Sequence, residues 1–171
     1  MRIITMMAIG VLVTASTVHA DPASSHALNN FNRAMVQVNE IETACYAARA
    51  ELKPGVFGDT KLEPEHIRTA LSYFYYRNLA ECTESAVSHF VLNAAILTSL
   101  DSDKAEDVAA GVALITQPHV SALQHEVEYL QLPPEVRDYL ENIEELMPPF
   151  QLSSASGLLP ASGDDGNQEE P

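Results

Sequence analysis

The sequence predicts an all-α fold, a small helical bundle of about four to five helices held together by one disulfide bond. Apolar residues recur at steps of three and four along most of the chain between residues 24 and 147. No segment of useful length alternates apolar and polar residues as a half-buried strand would. The two cysteines of the chain, Cys45 and Cys82, each fall on the apolar side of a predicted helix. These three observations together define the fold class.

The first twenty residues have the order of a secretory signal peptide. Arg2 precedes an apolar run from Ile3 to Val13, and small side chains stand at Val18 and Ala20. That order is typical of a signal cleaved after Ala20. An uncleaved anchor is the alternative, but the run falls well short of the roughly 20 apolar residues of a membrane span. We therefore predict a mature chain that is periplasmic or secreted, without membrane insertion.

The mature chain is expected to form one domain, residues 21–149, followed by a tail. After Pro148 and Pro149 the composition changes to Ser, Gly, Ala and acidic residues through Pro171. Such a segment has too little apolar surface to pack. We predict a disordered acidic tail at 150–171.

The charge of the chain excludes two classes of partner. It carries 24 acidic and 9 basic residues, a net charge of −15, and after residue 100 the basic residues are Lys104 and Arg137 alone. A surface of this sign repels phosphate backbones and anionic lipid headgroups. We therefore expect no nucleic acid partner, and any partner attracted by charge should be basic.

The first predicted helix begins at Ser24 or Ser25, either of which can cap it, and ends at Lys53-Pro54-Gly55. Its inward positions recur at helical spacing and are Leu28, Phe31, Met35, Val38, Ile41, Cys45, Ala48 and Leu52. The second helix is expected from Pro64 to Leu100, because proline is favoured in a first helical turn. It is apolar over much of its circumference, which places it at the centre of the bundle.

Three more helical segments follow. Asp101 to Asp103 caps a third helix through Gln117, and Pro118 either stops or kinks it because proline has no amide hydrogen. A fourth segment, His119 to Gln131, has Val120, Leu123, Val127 and Leu130 on one face. The last helix turns Val136, Leu140, Ile143 and Met147 inward.

A bridge between Cys45 and Cys82 would hold the first two helices face to face. Free thiols or a redox pair are the alternatives, although no C-x-x-C motif is present. Cys45 lies near the end of its helix and Cys82 far from the start of the next. Either the loop of residues 53–63 climbs about 17 Å along the second helix, or that helix is broken before Cys82. We favour the climbing loop.

The run Tyr73-Phe74-Tyr75-Tyr76 is the first candidate for a binding surface. Four consecutive residues on a helix point in directions about 100° apart, so one aromatic side chain should reach the surface unless neighbours surround the helix. Tyr73, Tyr75, Tyr76 and the following Arg77 are therefore candidate protein contacts. The alternative is aromatic packing against the loop that contains Val56 and Phe57.

A second candidate lies further along the same helix. His89 neighbours Ser85 and Asn93 at helical spacing and forms a polar stripe beside Phe90. A hydrogen-bonded cluster is the structural interpretation, whereas a small apolar ligand touching His89, Phe90 and Asn93 is the functional one. His119 and His125 are expected at the surface, since no partner at metal-site spacing accompanies them.

The chemical inventory predicts binding in preference to catalysis. The chain has no G-x-S-x-G, no P-loop, no G-x-G-x-x-G and no haem-attachment motif, and we expect neither a metal nor a cofactor. The favoured hypothesis is an exported protein with a protein-interaction or structural role, its oligomeric state open. The alternatives are a carrier of a small apolar ligand between helices and an enzyme without a recognisable motif.

Overall fold

The structure is a computed structural model that describes residues 21–58 and 62–156, and the predicted signal peptide lies outside these ranges. The described residues are mostly helical and contain no strand. The α-helices are α1 (Pro22–Ala47), α2 (Pro64–Leu100), α3 (Ala105–Tyr129), α4 (Pro134–Glu141) and α5 (Leu152–Ser156). Short 3-10 helices at Ser102–Lys104 and Glu144–Leu146 lie between them. The all-α prediction is confirmed. No helix among the described residues is long and apolar enough to cross a membrane.

Helix α1 begins and ends earlier than its apolar pattern predicts. Asp21 caps it by accepting a hydrogen bond from the amide of Ala23 at 3.2 Å, so neither Ser24 nor Ser25 is the cap. The helix ends at Ala47, six residues before Lys53. Leu52, which the pattern placed on the helix, is buried in the loop that follows, because that loop packs on the same core.

Helix α2 is continuous over Pro64–Leu100, as predicted, and is about 55 Å long. Helices α1 and α3 both pack against it and run opposite to it. At one end of the bundle Ala27 of α1 and Val108 of α3 share a core cluster with Leu97 of α2. About two turns of α2 before Leu97, Val38 of α1 packs with Phe90 of α2. The central position predicted for this helix is therefore correct.

The predicted disulfide bond joins Cys45 of α1 to Cys82 of α2, with the two Cα atoms 6.2 Å apart. Cys45 is buried and Cys82 is exposed, so the bridge lies at the edge of the contact between the helices. Because α2 is unbroken and α1 ends at Ala47, the connection of residues 48–63, which we call the climbing loop, must travel back along α2 to bring Cys45 level with Cys82. Leu52 and Phe57 of this loop pack in one cluster with Phe74. The climbing loop is the correct alternative.

Helix α3 runs unbroken through Pro118, so the third and fourth predicted segments are one helix. Proline removes one amide donor, which leaves the carbonyl of Leu114 without its usual partner. The helix continues because α2 supports it on both sides of this point. Val108 packs on α2 before the proline, and Tyr129 packs on it after the proline.

The C-terminal region closes the other end of the bundle with little helix. The predicted last helix ends at Glu141, and a 3-10 turn and extended chain replace its second half. This chain is held by Asn78 of α2, which is buried. The Asn78 side-chain amide donates to the carbonyl oxygens of Leu146 at 2.8 Å and Pro148 at 2.9 Å. Sequence reasoning missed this anchor.

The ordered domain extends past the boundary predicted at residue 149. Phe150 is 1 % exposed and belongs to the same core as Leu52 and Phe74. The residues on either side of Phe150 pair with the climbing loop at Ala50. The amide of Ala50 donates to the carbonyl of Pro149 at 3.0 Å, and the amide of Gln151 donates to the carbonyl of Ala50 at 2.9 Å. Predicting disorder at 150–156 was wrong because one large apolar side chain anchors the segment. Residues 157–171 lie outside the described part.

Candidate functional site

An open groove of about 530 Å³ lies between the C-terminal half of α1 and the middle of α3, and α2 forms its floor. We call it the tyrosine groove. Its lining residues are Met35, Val38, Asn39, Glu42, Tyr46, Tyr75, Tyr76, Leu79, Thr83, Val87, Leu114, Ile115, Gln117, Pro118 and Ser121. Tyrosine rings and aliphatic side chains make up most of the surface, and the polar groups Asn39, Glu42 and Gln117 stand among them.

The groove opens beyond the point where α1 and α3 approach each other. A side-chain carbon at Gly111 would lie 3.9 Å from the ring of Phe31, an ordinary contact distance, so α1 and α3 come close to each other at this point. Phe31 in turn packs on Phe90 of α2, with ring centroids 5.0 Å apart.

The aromatic run of α2 does not form one patch. Phe74 is fully buried, and the three tyrosines beside it are each half-buried. Tyr75 and Tyr76 line the tyrosine groove, whereas Tyr73 and Arg77 line a different groove on the opposite side of α3. Of the four contact residues predicted from the sequence, the structure therefore brings Tyr75 and Tyr76 together in one groove. It places Tyr73 and Arg77 in another groove.

Tyr46 is a groove residue that sequence reasoning missed. The guanidinium of Arg49 lies 3.7 Å from the ring centroid of Tyr46 and 4.7 Å from that of Tyr75, which fixes both rings by cation–π contact. Burial raises the pKa of the Tyr46 hydroxyl, and the hydrogen bond to Glu42 raises it further. The hydroxyl is therefore neutral, and it donates its single proton to Glu42 at the rim of the groove. Tyr46 directly follows Cys45, and that adjacency was the signal available in the sequence.

The second groove, of about 520 Å³, lies between α2 and α3. Three glutamates, Glu81, Glu84 and Glu126, line it together with His119 and Leu123. Arg77 pairs with Glu81, with nitrogen and oxygen 3.6 Å apart, and also covers the ring of Phe74 at 4.6 Å. Arg77 thus partly neutralises an otherwise acidic surface.

His119 is half-buried, which corrects its assignment to the surface. Its Nε2 atom lies 3.2 Å from the hydroxyl oxygen of Thr83, and that hydroxyl donates to the carbonyl of Leu79 at 2.9 Å. In the tautomer protonated at Nε2, His119 donates to Thr83 and ties α3 to α2 next to Pro118. Burial lowers the pKa of His119, and the carboxylate of Glu84 opposes that shift in part.

We expect His119 to make stability depend on pH. Its pKa is lower in the folded chain than the value of 6.5 that it has in water, so the unfolded chain binds the proton more readily. This contribution to stability is complete above pH 6.5 and is lost as the pH falls through that value towards the folded pKa. The melting temperature of the wild-type protein should therefore fall more steeply than that of His119→Gln between about pH 7.5 and about pH 5.5. Parallel curves for the two proteins would contradict the assignment.

The other candidate set, His89, Phe90 and Asn93, does not share a cavity. Phe90 is fully buried, while His89 is exposed. The side-chain amide of Asn93 donates to the backbone carbonyl of His89 at 2.8 Å, a bond within α2. Neither groove described above includes any of the three.

Comparison with known proteins gives no template for either groove, since no protein-family model, no curated protein and no solved structure matches this chain. In the described ranges, no group of three or more His, Cys, Asp or Glu side chains is placed to hold a metal ion. The geometry of the tyrosine groove is thus the observation that bears most directly on function.

Proposed function

We propose that the protein is exported and acts by binding another protein through the tyrosine groove. The observation that carries this proposal is an open groove of about 530 Å³ whose floor and wall present Tyr46, Tyr75 and Tyr76. Tyrosine supplies a large apolar ring with a polar edge, and it is enriched where proteins meet. A partner would place an apolar side chain between the rings and make hydrogen bonds to the polar groups at the rim.

Two features support export. The order of residues in the first twenty positions is that of a signal peptide. Cys45 and Cys82 form a disulfide bond, and such bonds persist in the periplasm and outside the cell, whereas cytosolic thiols are kept reduced. These two features support a location in the periplasm or the extracellular space.

The charge of the groove favours a basic segment of the partner. Glu42 stands at its rim, and the chain as a whole carries a net charge of −15. Opposite charge on a partner would speed their encounter, and that advantage would weaken as salt is added.

Carriage of a small apolar ligand is the second candidate. The same groove favours it, because a volume of about 530 Å³ lies within the range of about 300–1,000 Å³ that small-molecule sites occupy. A carrier would retain its ligand through purification, whereas the interaction protein would be purified with an empty groove.

A photo-crosslinking amino acid tests the proposal in the cells that make the protein. Leu114, which is 71 % exposed and lines the groove, is the site of insertion, and Leu92, 59 % exposed on α2 and outside the groove, is the matched control. Irradiation should give an adduct from position 114 and none from position 92. The mass of the adduct should differ from that of two crosslinked copies of this chain, which shows that the partner is another protein. Equal adducts from both positions, or none from position 114, would refute protein binding through this groove.

A further inference from the structure

Helix α3 carries a row of large apolar side chains that no described part of the chain covers. Val120 is 48 % exposed, Leu123 63 %, Val127 61 % and Leu130 55 %. The sequence places these four on one face of a helix, which in a bundle would ordinarily be the buried face. Here α2 packs instead on a neighbouring face of α3, through Val108 and Tyr129.

The row has the spacing of a coiled-coil seam. From Ala109 to Leu130 its members stand alternately four and three residues apart, a heptad repeat maintained over three repeats. The members are Ala109, Ala113, Thr116, Val120, Leu123, Val127 and Leu130. In this register the valines occupy the a positions and the C-terminal leucines the d positions, the combination that favours two-stranded coiled coils.

The charge along α3 indicates what can cover the seam. No Asp, Glu, Lys or Arg occurs between residues 108 and 124, although the chain has a net charge of −15. Three glutamines occupy successive e positions, which adjoin the seam, and all three are exposed. They are Gln117, Gln124 and Gln131. Two copies of an acidic protein repel each other wherever carboxylates meet. The uncharged stretch covers the seam from Ala109 to Leu123, where two copies can meet without that cost, and Glu126 and Glu128 flank only its last turn.

We propose that the occupant is a second copy of this chain, which pairs its own α3 with this one to form a two-fold dimer. An interface of this kind is self-complementary, because each apolar side chain meets the same row on the other copy. None of the seven seam residues lines the tyrosine groove, although the adjacent Gln117 does, so the two proposals rest on different faces of α3.

The size of the seam sets the strength expected of the dimer. Ala109 to Leu130 spans about 32 Å of helix, and one pair of helices of that length buries less than the roughly 800 Å² per partner of a standard interface. We therefore expect a reversible dimer with a dissociation constant in the micromolar class.

Light scattering coupled to size-exclusion chromatography measures the mass of the exported protein directly. At about 100 μM, well above a micromolar dissociation constant, the wild-type mass should approach twice that of one chain and fall on dilution. Leu123→Glu should be monomeric at the same concentration, because it buries a carboxylate opposite another carboxylate. Circular dichroism must show that it retains wild-type helix content, and Val127→Gln provides a milder second variant with the same expected shift towards monomer.

Leu114→Glu is the matched control, since Leu114 is on the same helix and is exposed but lies off the seam. It should remain dimeric like the wild type, whereas Leu123→Glu should become monomeric and still give the adduct from a crosslinker at position 114. The two proposals therefore fail separately. A wild-type protein that is monomeric at about 100 μM would overturn the dimer. A Leu123→Glu variant that dimerises as well as the wild type would overturn the assignment to this face.

Discussion

Replacing Phe150 with alanine should lower the free energy of unfolding by about 3–5 kcal/mol, the usual cost of removing a buried phenylalanine side chain. Phe150 is 1 % exposed and meets the ring of Tyr75 edge-on, with centroids 6.2 Å apart. It attaches the chain that follows Pro149 to the core that contains Leu52 and Phe74. Urea unfolding followed by circular dichroism gives the free energy directly.

Two truncations separate this effect from that of the residues beyond it. A chain ending at Pro149 loses Phe150 and also the hydrogen bond of the Ser154 hydroxyl with the amide of Leu52 at 3.2 Å. It should be destabilised at least as much as Phe150→Ala. A chain ending at Ser156 keeps every contact described above and should unfold close to the wild type. If the chain ending at Pro149 were as stable as the one ending at Ser156, the docking of this segment would be wrong.

Loss of the disulfide bond is the other change with a large expected effect. Cys45 and Cys82 are 37 residues apart in sequence, and in the chain-entropy model a closed loop of that length contributes about 4 kcal/mol as an upper value. The bridge ties the end of α1 to the middle of α2 and so restricts the climbing loop between them. Cys45→Ala combined with Cys82→Ala should therefore lower the unfolding free energy by several kcal/mol, about 2–4 kcal/mol.

Reduction of the wild-type protein is the internal control for that measurement. A reducing agent should lower the melting temperature of the wild type to about that of the double variant, and should leave the double variant unchanged. Replacing both cysteines avoids the free thiol that a single substitution would leave. A melting temperature of the wild type that is the same with and without reductant would show that the bridge does not stabilise the fold.

The elements that the sequence predicted well are those whose signals are local. Pro64 at the start of α2 and the pattern through Leu100 set both ends of that helix without reference to its neighbours. The bridge followed from the apolar positions of Cys45 and Cys82, because two residues on facing sides of packed helices meet. The lengths of the helices then left two alternatives, a climbing loop or a break in α2 before Cys82, and the favoured one was correct.

The elements that it missed depend on packing between distant segments. Phe150 stands in a tail of low hydrophobicity, and nothing local shows that the climbing loop pairs with it through Ala50. Pro118 is a helix breaker in isolation, yet α3 continues because α2 supports it on both sides. Periodicity identified the face of Val120 and Leu123, but it could not show that the face stays uncovered within one chain.

The tyrosine groove could be predicted only in part. The aromatic run on α2 identified Tyr75 and Tyr76, whereas Tyr46 and Leu114 come from other helices whose positions depend on the fold. Sequence spacing relates residues on one helix. It does not show where two helices that flank a third move apart.

Native mass spectrometry of the protein from an exporting host tests the central claim. The claim is that the protein is exported, contains a disulfide bond and functions by binding other protein chains. We expect a chain that begins at Asp21, is lighter by two hydrogen atoms than its reduced form, and is present as monomer and dimer with no small molecule bound. A chain that retains its first twenty residues or has two free thiols would contradict export through an oxidising compartment. A bound small molecule that survives purification would contradict protein contact and favour a carrier.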